Sequence, residues 1–518
     1  MSATAAGTAG QAGGAAQGQA LLDRMDRLPG WPLPRFDLFV LGLAYFFVFY
    51  DITDIGFGLP AIVKQFGLSS NDVKFVAIAI GLVGYIVGSN LIGALADWRG
   101  RRLAFLTSLL VSGLGSLGSA FATGIVSLSI WRFLTGMGVG AALNLASTYV
   151  GELSPPSKRG RISVTMFMIG IVGQAITPFV ALALVPHFYV GWRLLFGIGA
   201  LIGLAGVLFG LRLPESPRWL IHHGHLDKAA AMVGSMEQRF DPQELAASAA
   251  PPPAGQAPGP LDGAPGGTRP AGDDQRRVST AYELTHGRYG LAVLAMITMW
   301  FLWYIGNYGF LGDAATLLSA HGLGIGSSIL YLAVGAIGYP AGAGIMILTA
   351  DKVERKYLIL GATVCWLIGM LLIGTLANGA VVTVGSFLAS LALGSYLQVA
   401  YTFTAENFPT RLRARGFALA DGGGHLGGAV GALLLPVLIA DTTFFLGFAA
   451  IGVTGLLAGL IALGGPKTSG RSLELIARPV PLPSTVPEVA RSGGPDQLQR
   501  QQSQDSLRDG AGAQRAST

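Results

Sequence analysis

Two acidic residues stand inside the first long hydrophobic run of the sequence, residues 36–63. Asp51 and Asp54 are three positions apart, which places both on one face of any helix that this run forms. A carboxylate near the middle of a lipid bilayer costs at least ~2.5 kcal/mol, so such residues usually face a bundle interior or an aqueous cavity and mark an ion or substrate path. The two aspartates are therefore the first candidates for a functional site.

A basic partner for these acids lies in a later hydrophobic run. Arg132 stands about six residues from the outer end of the fourth run, which is about 9 Å deep at the helical rise, and Asp54 and Asp51 lie about 14 and 18 Å deep in the first run. A guanidinium that approaches and leaves an acid changes the proton affinity of that acid, which makes a proton switch. Two alternatives stay open. Arg132 could extend to the membrane interface as an anchor, and the acids could form a helix–helix hydrogen bond.

The composition is that of an integral membrane protein. Of 518 residues, 51% are hydrophobic and only 12% are charged, too few for a soluble surface. The net charge of +6 comes from short basic clusters between hydrophobic runs, so no nucleic-acid partner is expected. Cys365 is the single cysteine, so neither a disulfide within the chain nor a metal site built from several cysteines is expected. No metal or cofactor is predicted. The first twenty residues lack a basic segment, so no cleaved signal peptide is predicted.

Twelve hydrophobic runs approach or exceed the ~20 residues that cross a bilayer. Their approximate limits are 36–63, 73–96, 103–122, 126–150, 162–185, 192–211, 290–318, 327–350, 357–376, 379–404, 414–439 and 443–464. The predicted organisation is a tail over 1–35, a six-helix half over 36–211, a linker over 212–289, a second half over 290–464 and a disordered tail over 465–518. The linker is expected to be largely disordered because residues 241–275 are rich in Pro, Ala and Gly. Clusters of Lys and Arg follow the second, fourth, eighth and tenth runs, which predicts that both termini and the linker are cytoplasmic.

The two halves repeat at a fixed displacement. Six loop residues recur 254 positions later (351 − 97 = 406 − 152 = 254): Asp97, Arg101, Glu152, Pro155, Arg159 and Arg161 become Asp351, Arg355, Glu406, Pro409, Arg413 and Arg415. Lys356 likewise follows Arg102 at the same displacement. This predicts an all-α membrane protein with twelve transmembrane helices in two pseudo-symmetric halves and a central cavity near the midplane, an arrangement typical of transporters. The same charged residues, with Arg102, can form a cytoplasmic gate, or they can serve only as topology determinants.

Three motifs carry a resemblance to a known family: GALADWRGRR (93–102), RFLTGMGVGAALNLASTYVGELSPPSKRGR (132–161) and PESPRWL (214–220). With them, residues 36–464 resemble the major facilitator superfamily, in the branch of sugar porters and metabolite:proton symporters. The resemblance implies that Asp51, preceded by Tyr50, and Arg132 couple transport to protons. It also implies that the gate residues hold the outward-facing state. Asp54 is an addition to the family pattern.

The candidate substrate-binding residues are polar and aromatic side chains inside the predicted spans. They are Gln174, Trp300, Tyr304, Asn307, Tyr308, Gln398, Tyr401, Asp421 and His425. The aromatic residues of the seventh run recur every four positions and so share one face, which indicates either packing or a binding surface. Asp421 and His425 form an i, i+4 pair that could lock a helix or supply a second proton site. His425 stands where aromatic-acid symporters of the resembling group commonly show an arginine.

The resemblance, together with the absence of a GxxxxGK[ST] motif, predicts a secondary transporter and not an enzyme. The spans lack the usual sugar-porter pattern of the seventh helix, and Tyr308-Gly309-Phe310 is similar to aromatic-acid and niacin-type symporters. The function predicted is proton-coupled uptake of a small organic metabolite, an organic acid being favoured. A proton-driven exporter, a sugar transporter and a non-transporting membrane sensor remain alternatives. The expected setting is the bacterial plasma membrane, and the protein is expected to function as a monomer.

Overall fold

A computed structural model describes residues 14, 16–68, 79–249, 284–349, 352–408 and 410–467. For residues 156–160, 287–288, 410–411 and 413–414 the description covers the backbone only. Within these ranges the regular elements are helices, and twelve of them are long and apolar enough to cross a membrane. The prediction of twelve transmembrane helices is confirmed.

The twelve long helices are numbered α1 to α12. They are Arg35–Phe66 (α1), Ile80–Arg99 (α2), Arg101–Ala120 (α3), Ile125–Leu153 (α4), Pro156–Leu184 (α5), Gly191–Gly210 (α6), Gly287–Leu318 (α7), Ile325–Thr349 (α8), Arg355–Thr375 (α9), Gly379–Glu406 (α10), Thr410–Asp441 (α11) and Phe444–Leu463 (α12). A turn at residues 336–337 interrupts α8. Side-chain caps begin two of the helices, because Asn378 accepts a hydrogen bond from the backbone of α10 and Thr443 does the same for α12.

Each half packs its six helices in the same way. In the first half α1 contacts α5 and α6, α2 contacts α4, and α3 contacts α4 and α6. In the second half α7 contacts α11 and α12, α8 contacts α10, and α9 contacts α10 and α12. Across the interface α1 meets α7, α5 meets α8, and α2 meets α11. The two-fold repeat in sequence is therefore a repeat of packing.

Glycines bring the paired helices into backbone contact at equivalent places. A Cβ on Gly88 of α2 would lie 2.0 Å from the carbonyl oxygen of Met137 on α4, and a Cβ on Gly342 of α8 would lie 2.1 Å from that of Leu391 on α10. Both contacts repeat at the same displacement (342 − 88 = 391 − 137 = 254). In a membrane, helices associate by close packing because lipid offers no hydrophobic driving force, so small residues at these crossings hold each half together.

The first part of the linker folds, which differs from the predicted largely disordered segment. Helices form at Pro217–His222, Leu226–Glu237 and Pro242–Ala249. Ser216 caps the first helix by accepting a hydrogen bond from the backbone of Trp219. The remaining residues of the Pro- and Gly-rich segment, 250–275, lie outside the described residues.

An N-terminal helix over residues 16–26 packs on this linker unit. Leu21 and Met25 are buried against Leu220 and Val233. In both the N-terminal helix and the linker helices, apolar residues recur at helical spacing and form this small cluster. The glycine- and proline-rich stretch that follows has no such spacing. An ion pair of 2.5 Å between Arg24 and Glu237 joins the two segments at the surface.

We expect Gly88→Ala to lower the melting temperature of the detergent-solubilised protein, because the new methyl group meets backbone that cannot rotate away. The loss of stability should be about 1–3 kcal/mol, as for other overpacked sites. Gly93→Ala on the same helix is the matched control, since a Cβ there meets no atom within 4 Å, and it should leave the melting temperature unchanged or raise it. Equal melting temperatures for the two variants would contradict the close crossing.

Candidate functional site

One guanidinium serves two buried carboxylates in the first half. Arg132 Nη2 lies 3.4 Å from Asp51 Oδ2, and Nη1 lies 3.4 Å from Asp54 Oδ1. The exposed fractions are 6% for Arg132, 1% for Asp51 and 0% for Asp54. Arg132 therefore lies inside the bundle, and the alternative that it anchors at the membrane interface does not describe this structure.

Neighbouring helices hold the two acids in place. On α1 the aspartates occupy one helical face, as their spacing predicts, and the hydroxyl of Ser116 on α3 donates a hydrogen bond to Asp51. The hydroxyl of Tyr50 donates to the carbonyl oxygen of Leu195, 3.0 Å away, and ties α1 to α6. Arg132 Nη2 also donates to the backbone oxygen of Asp51 at 3.3 Å. The network thus draws α1, α3 and α4 together around the charges.

Parts of this network are left without a partner. Among the described residues, Asp54 Oδ2 and Arg132 Nε are buried and form no hydrogen bond. Buried polar atoms without partners are costly, so they usually mark strain or function. The arrangement therefore leaves room for a proton on an acid or for a rearrangement of the guanidinium.

Two large cavities open at one end of the bundle. They have volumes of about 400 and 670 Å³ and share five lining residues, Asn144, Ser147, Ala405, Phe417 and Asp421. Their walls come from the end portions of α4 and α10, from the first parts of α1, α5 and α11, and from residues 85–90 of α2. The ends of α4 and α10 and the starts of α5 and α11 lie next to loops that carry Lys and Arg clusters. We call this the basic end of the bundle.

Towards the opposite end the helices close together. A Cβ on Gly56 of α1 would lie 1.8 Å from the carbonyl oxygen of Leu311 on α7, so the two backbones touch across the interface of the halves. The structure therefore shows the bundle open at the basic end and closed at the other end.

Two small cavities lie deeper in the bundle. One, of about 40 Å³, is lined by Asp51, Arg132, Tyr85 and Tyr308 among others. The next, of about 30 Å³, shares both tyrosines. A cavity of this size holds one or a few waters but not a metabolite. The acids are thus separated from the large cavities by aromatic side chains and water-sized spaces.

Eight of the nine predicted substrate-binding residues line a cavity. They are Gln174, Tyr304, Asn307, Tyr308 and His425 at the smaller cavity, Gln398 and Asp421 at the large cavities, and Tyr401 at both kinds. Trp300 is the exception, since it is fully buried and its Nε1 donates to Thr404 Oγ1 at 2.9 Å. Its indole therefore packs between α7 and α10. Of the two roles predicted for the aromatic face of the seventh run, Trp300 has the packing role.

Two residues of the site were missed by sequence reasoning. Ser116 lies on a stripe of serines at four-residue spacing on α3, with Ser108 and Ser112, and that spacing indicates one buried polar face. Tyr85 of α2 lines three cavities and stacks on His425 of α11 with ring centroids 4.4 Å apart. A single tyrosine in a hydrophobic run carries no signal that would distinguish it from packing.

The gate residues form matching ion pairs in both halves. Arg101 Nε lies 3.0 Å from Glu152 Oε1, and the equivalent Arg355 Nη2 lies 3.0 Å from Glu406 Oε1. Arg101 also pairs with Asp97 at 2.9 Å.

The second basic position of each half caps a helix. Arg102 donates to the carbonyl oxygen of Leu211, and Lys356 donates to that of Gly465 (465 − 211 = 356 − 102 = 254). The repeat in sequence therefore extends to individual hydrogen bonds.

The gate contacts stay within each half. Among the described residues no ion pair joins the two halves, as expected for a bundle that is open at its basic end. Arg161 and Arg415 are exposed, while Asp351 and the side chains of Arg159 and Arg413 lie outside the described residues.

Glu215 was not among the predicted gate residues. Its carboxylate accepts hydrogen bonds from the backbone nitrogens of Arg101, at 2.8 Å, and of Arg102, and so caps α3. A carboxylate is favourable at a helix N-terminus because the helix dipole is positive there.

We expect Arg132→Leu to destabilise the protein strongly, by about 3–5 kcal/mol, because it leaves two buried carboxylates without a cation. Adding Asp51→Asn and Asp54→Asn should restore most of the melting temperature, since the buried charge is removed. Melting curves in detergent at neutral pH test this. A small loss for Arg132→Leu alone would mean that the acids do not carry the charge that the guanidinium balances.

Comparisons with known proteins agree with the fold. The family model described as "Sugar (and other) transporter" matches residues 39–250, and that described as "Major Facilitator Superfamily" matches residues 288–491. The putative metabolite transport protein YyaJ of Bacillus subtilis is 29% identical over 87% of this chain and 96% of its own length. The niacin transporter NiaP of Acinetobacter baylyi is 27% identical over 88% of this chain and all of its own length.

A solved structure shares the fold. The xylose transporter XylE from E. coli, in a partially occluded inward-open conformation, covers 84% of this chain and 99% of its own, with 20% identity and a TM-score of 0.66. The repeated six-helix halves, the open central cavity and the two matched families lead to one conclusion. This chain belongs to the major facilitator superfamily and is a multi-pass integral membrane transporter, not an enzyme.

Proposed function

We propose that the protein takes up a small organic metabolite together with protons by alternating access, with Asp51, Asp54 and Arg132 as the coupling residues. The single observation that carries this proposal is the guanidinium of Arg132 lying 3.4 Å from a carboxylate oxygen of each acid, next to a water-sized cavity. A proton can reach this cluster through spaces that a metabolite cannot enter.

The charge balance explains how a proton could control the conformation. With both acids ionised the three side chains carry a net charge of −1, and one added proton makes them neutral. A net charge buried in a low-dielectric interior is costly, so the proton-loaded cluster tolerates closure of the surrounding helices better than the empty one does. The hydroxyl of Ser116 donates a hydrogen bond to Asp51, whereas Asp54 keeps one oxygen without a partner, so the added proton has a place on Asp54.

Alternating access requires each end of the bundle to be open while the other end is closed. We assign the basic end to the cytoplasm of a bacterial cell, with the protein in the inner membrane and both termini inside. In the described conformation a substrate would leave through the large cavities. Closing that end requires the gate regions around Arg101 and Arg355 to approach each other across the bundle, while Gly56 and Leu311 separate at the other end.

The substrate proposed is a small aromatic or heteroaromatic organic acid. The similarity to a niacin transporter over nearly the full length supports this class. The cavity walls support an aromatic ring, because Tyr401 lies with its ring centroid 5.5 Å from that of Phe417 and 6.4 Å from that of Phe167. A sugar is the second candidate, favoured by the amide side chains of Gln174, Asn307 and Gln398 along the same path.

We expect Asp51→Asn to abolish gradient-driven accumulation but to spare exchange of substrate down its own gradient. Proteoliposomes with an imposed pH gradient, supplied with labelled niacin, benzoate or D-xylose, measure accumulation, and preloaded vesicles measure exchange. Asp441→Asn, an exposed acid at the end of α11, is the matched control and should behave as the wild type. An exporter would show the reverse dependence on the gradient, and a sensor would show no flux. Accumulation that survives both Asp51→Asn and Asp54→Asn would refute the coupling role.

A further inference from the structure

A buried carboxylate of the second half faces the large cavities. Asp421 of α11 lines both of them. Its Oδ1 accepts a hydrogen bond of 2.9 Å from the hydroxyl of Tyr304, which itself lies 3.2 Å from that of Tyr401. The hydrogen bond from Tyr304 fixes the direction of the carboxylate, and both tyrosines also line the deeper cavity of about 30 Å³.

No lysine or arginine in the described part of the chain forms an ion pair with Asp421. Among the described residues that line the two large cavities, Asp421 is the only one with a charged side chain, since none is Lys, Arg or His. Arg132 is engaged by Asp51 and Asp54.

His425, one helical turn further along α11, makes no hydrogen bond to the carboxylate of Asp421. Its Nδ1 lies 2.8 Å from the backbone oxygen of Asp421, and because a carbonyl only accepts hydrogen bonds, that nitrogen carries its proton for this contact. The same Nδ1 is 3.7 Å from Asp421 Oδ1, beyond hydrogen-bonding distance.

Aromatic side chains surround the cavity face of this carboxylate. Phe417 lies one helical turn before Asp421, and its ring contacts that of Tyr401, which contacts Phe167. Tyr85 closes the wall from α2. Aromatic faces attract cations through their electron-rich surfaces, and a carboxylate among them strengthens that attraction. Hydrogen-bond donors for a second, anionic group of the substrate line the same cavity at Asn144, Ser147 and Gln398.

We infer that Asp421 and the aromatic wall of Phe167, Tyr401 and Phe417 bind a positively charged nitrogen of the substrate. This rests on the proposed function, because it takes the large cavities as the substrate cavity. The substrate class becomes a small aromatic molecule with a protonated amine or ring nitrogen. If the substrate is also an organic acid, it is amphoteric, with its nitrogen at Asp421.

Three probes with one ring and different charges test this inference: benzylammonium, benzyl alcohol and benzoate. Binding to the purified full-length protein in detergent is measured by calorimetry at neutral pH. We expect the wild type to bind benzylammonium at least tenfold more tightly than benzyl alcohol, and benzoate most weakly. Asp421→Asn keeps an acceptor for Tyr304 and should reduce benzylammonium to the affinity of benzyl alcohol, whose own affinity changes less than twofold. Asp421→Glu should retain the preference.

Several outcomes would overturn the inference. One is that the wild type fails to bind benzylammonium, and another is that it binds benzoate most tightly of the three probes. A third is that Asp421→Asn loses affinity for benzylammonium and benzyl alcohol equally while its melting temperature stays unchanged. An unchanged preference in Asp421→Asn would also overturn it, since Asp421 would then be a protonated or structural group. No gradient is present in this assay, so Asp51→Asn should keep the preference. Loss of coupling with intact cation binding would refute only the proposed proton mechanism.

Discussion

The structure depends on the cost of burying charge in a layer that contains no water. Asp51 and Asp54 can lie within the bundle only because Arg132 reaches both, and Arg132 can lie there only because both acids receive it. The balance is incomplete, since two acids share one cation. That imbalance of a single charge is what a proton can correct, and the proposed coupling of transport to protons rests on it.

The two repeated halves pack their helices through the same contacts, but they differ at the site. Gly88 and Gly342 make the same backbone contact, and Arg101 and Arg355 make the same ion pair. At the centre the symmetry ends, because the position equivalent to Asp54 is Tyr308. One half therefore holds the buried ion cluster, while the other lines the cavities with tyrosines, Asp421 and His425. Equivalent scaffolds thus carry two different chemistries towards one central space.

The conformation follows from which contacts are made between the halves. Close approach of α1 and α7 at Gly56 seals one end, whereas the gate pairs at the other end remain internal to each half. The N-terminal helix and the first linker helices add a folded unit at the basic end, where Arg218 donates to the carbonyl oxygen of Glu152 at the end of α4. The folded part of the linker is therefore attached to the end of α4.

The sequence by itself determined the spans, their number and the repeat, because hydrophobic length and a displacement of 254 residues are local or periodic properties. It also identified the Asp51, Asp54 and Arg132 cluster, since charges in lipid-length runs have few permitted places. Tertiary structure decided the rest. Trp300 and Tyr304 share one helical face in sequence, yet only Tyr304 lines a cavity. Ser116 and Tyr85 join the site only through contacts between helices that are distant in the chain. The packing between the two halves determines which end of the bundle is open, and no local sequence pattern encodes that packing.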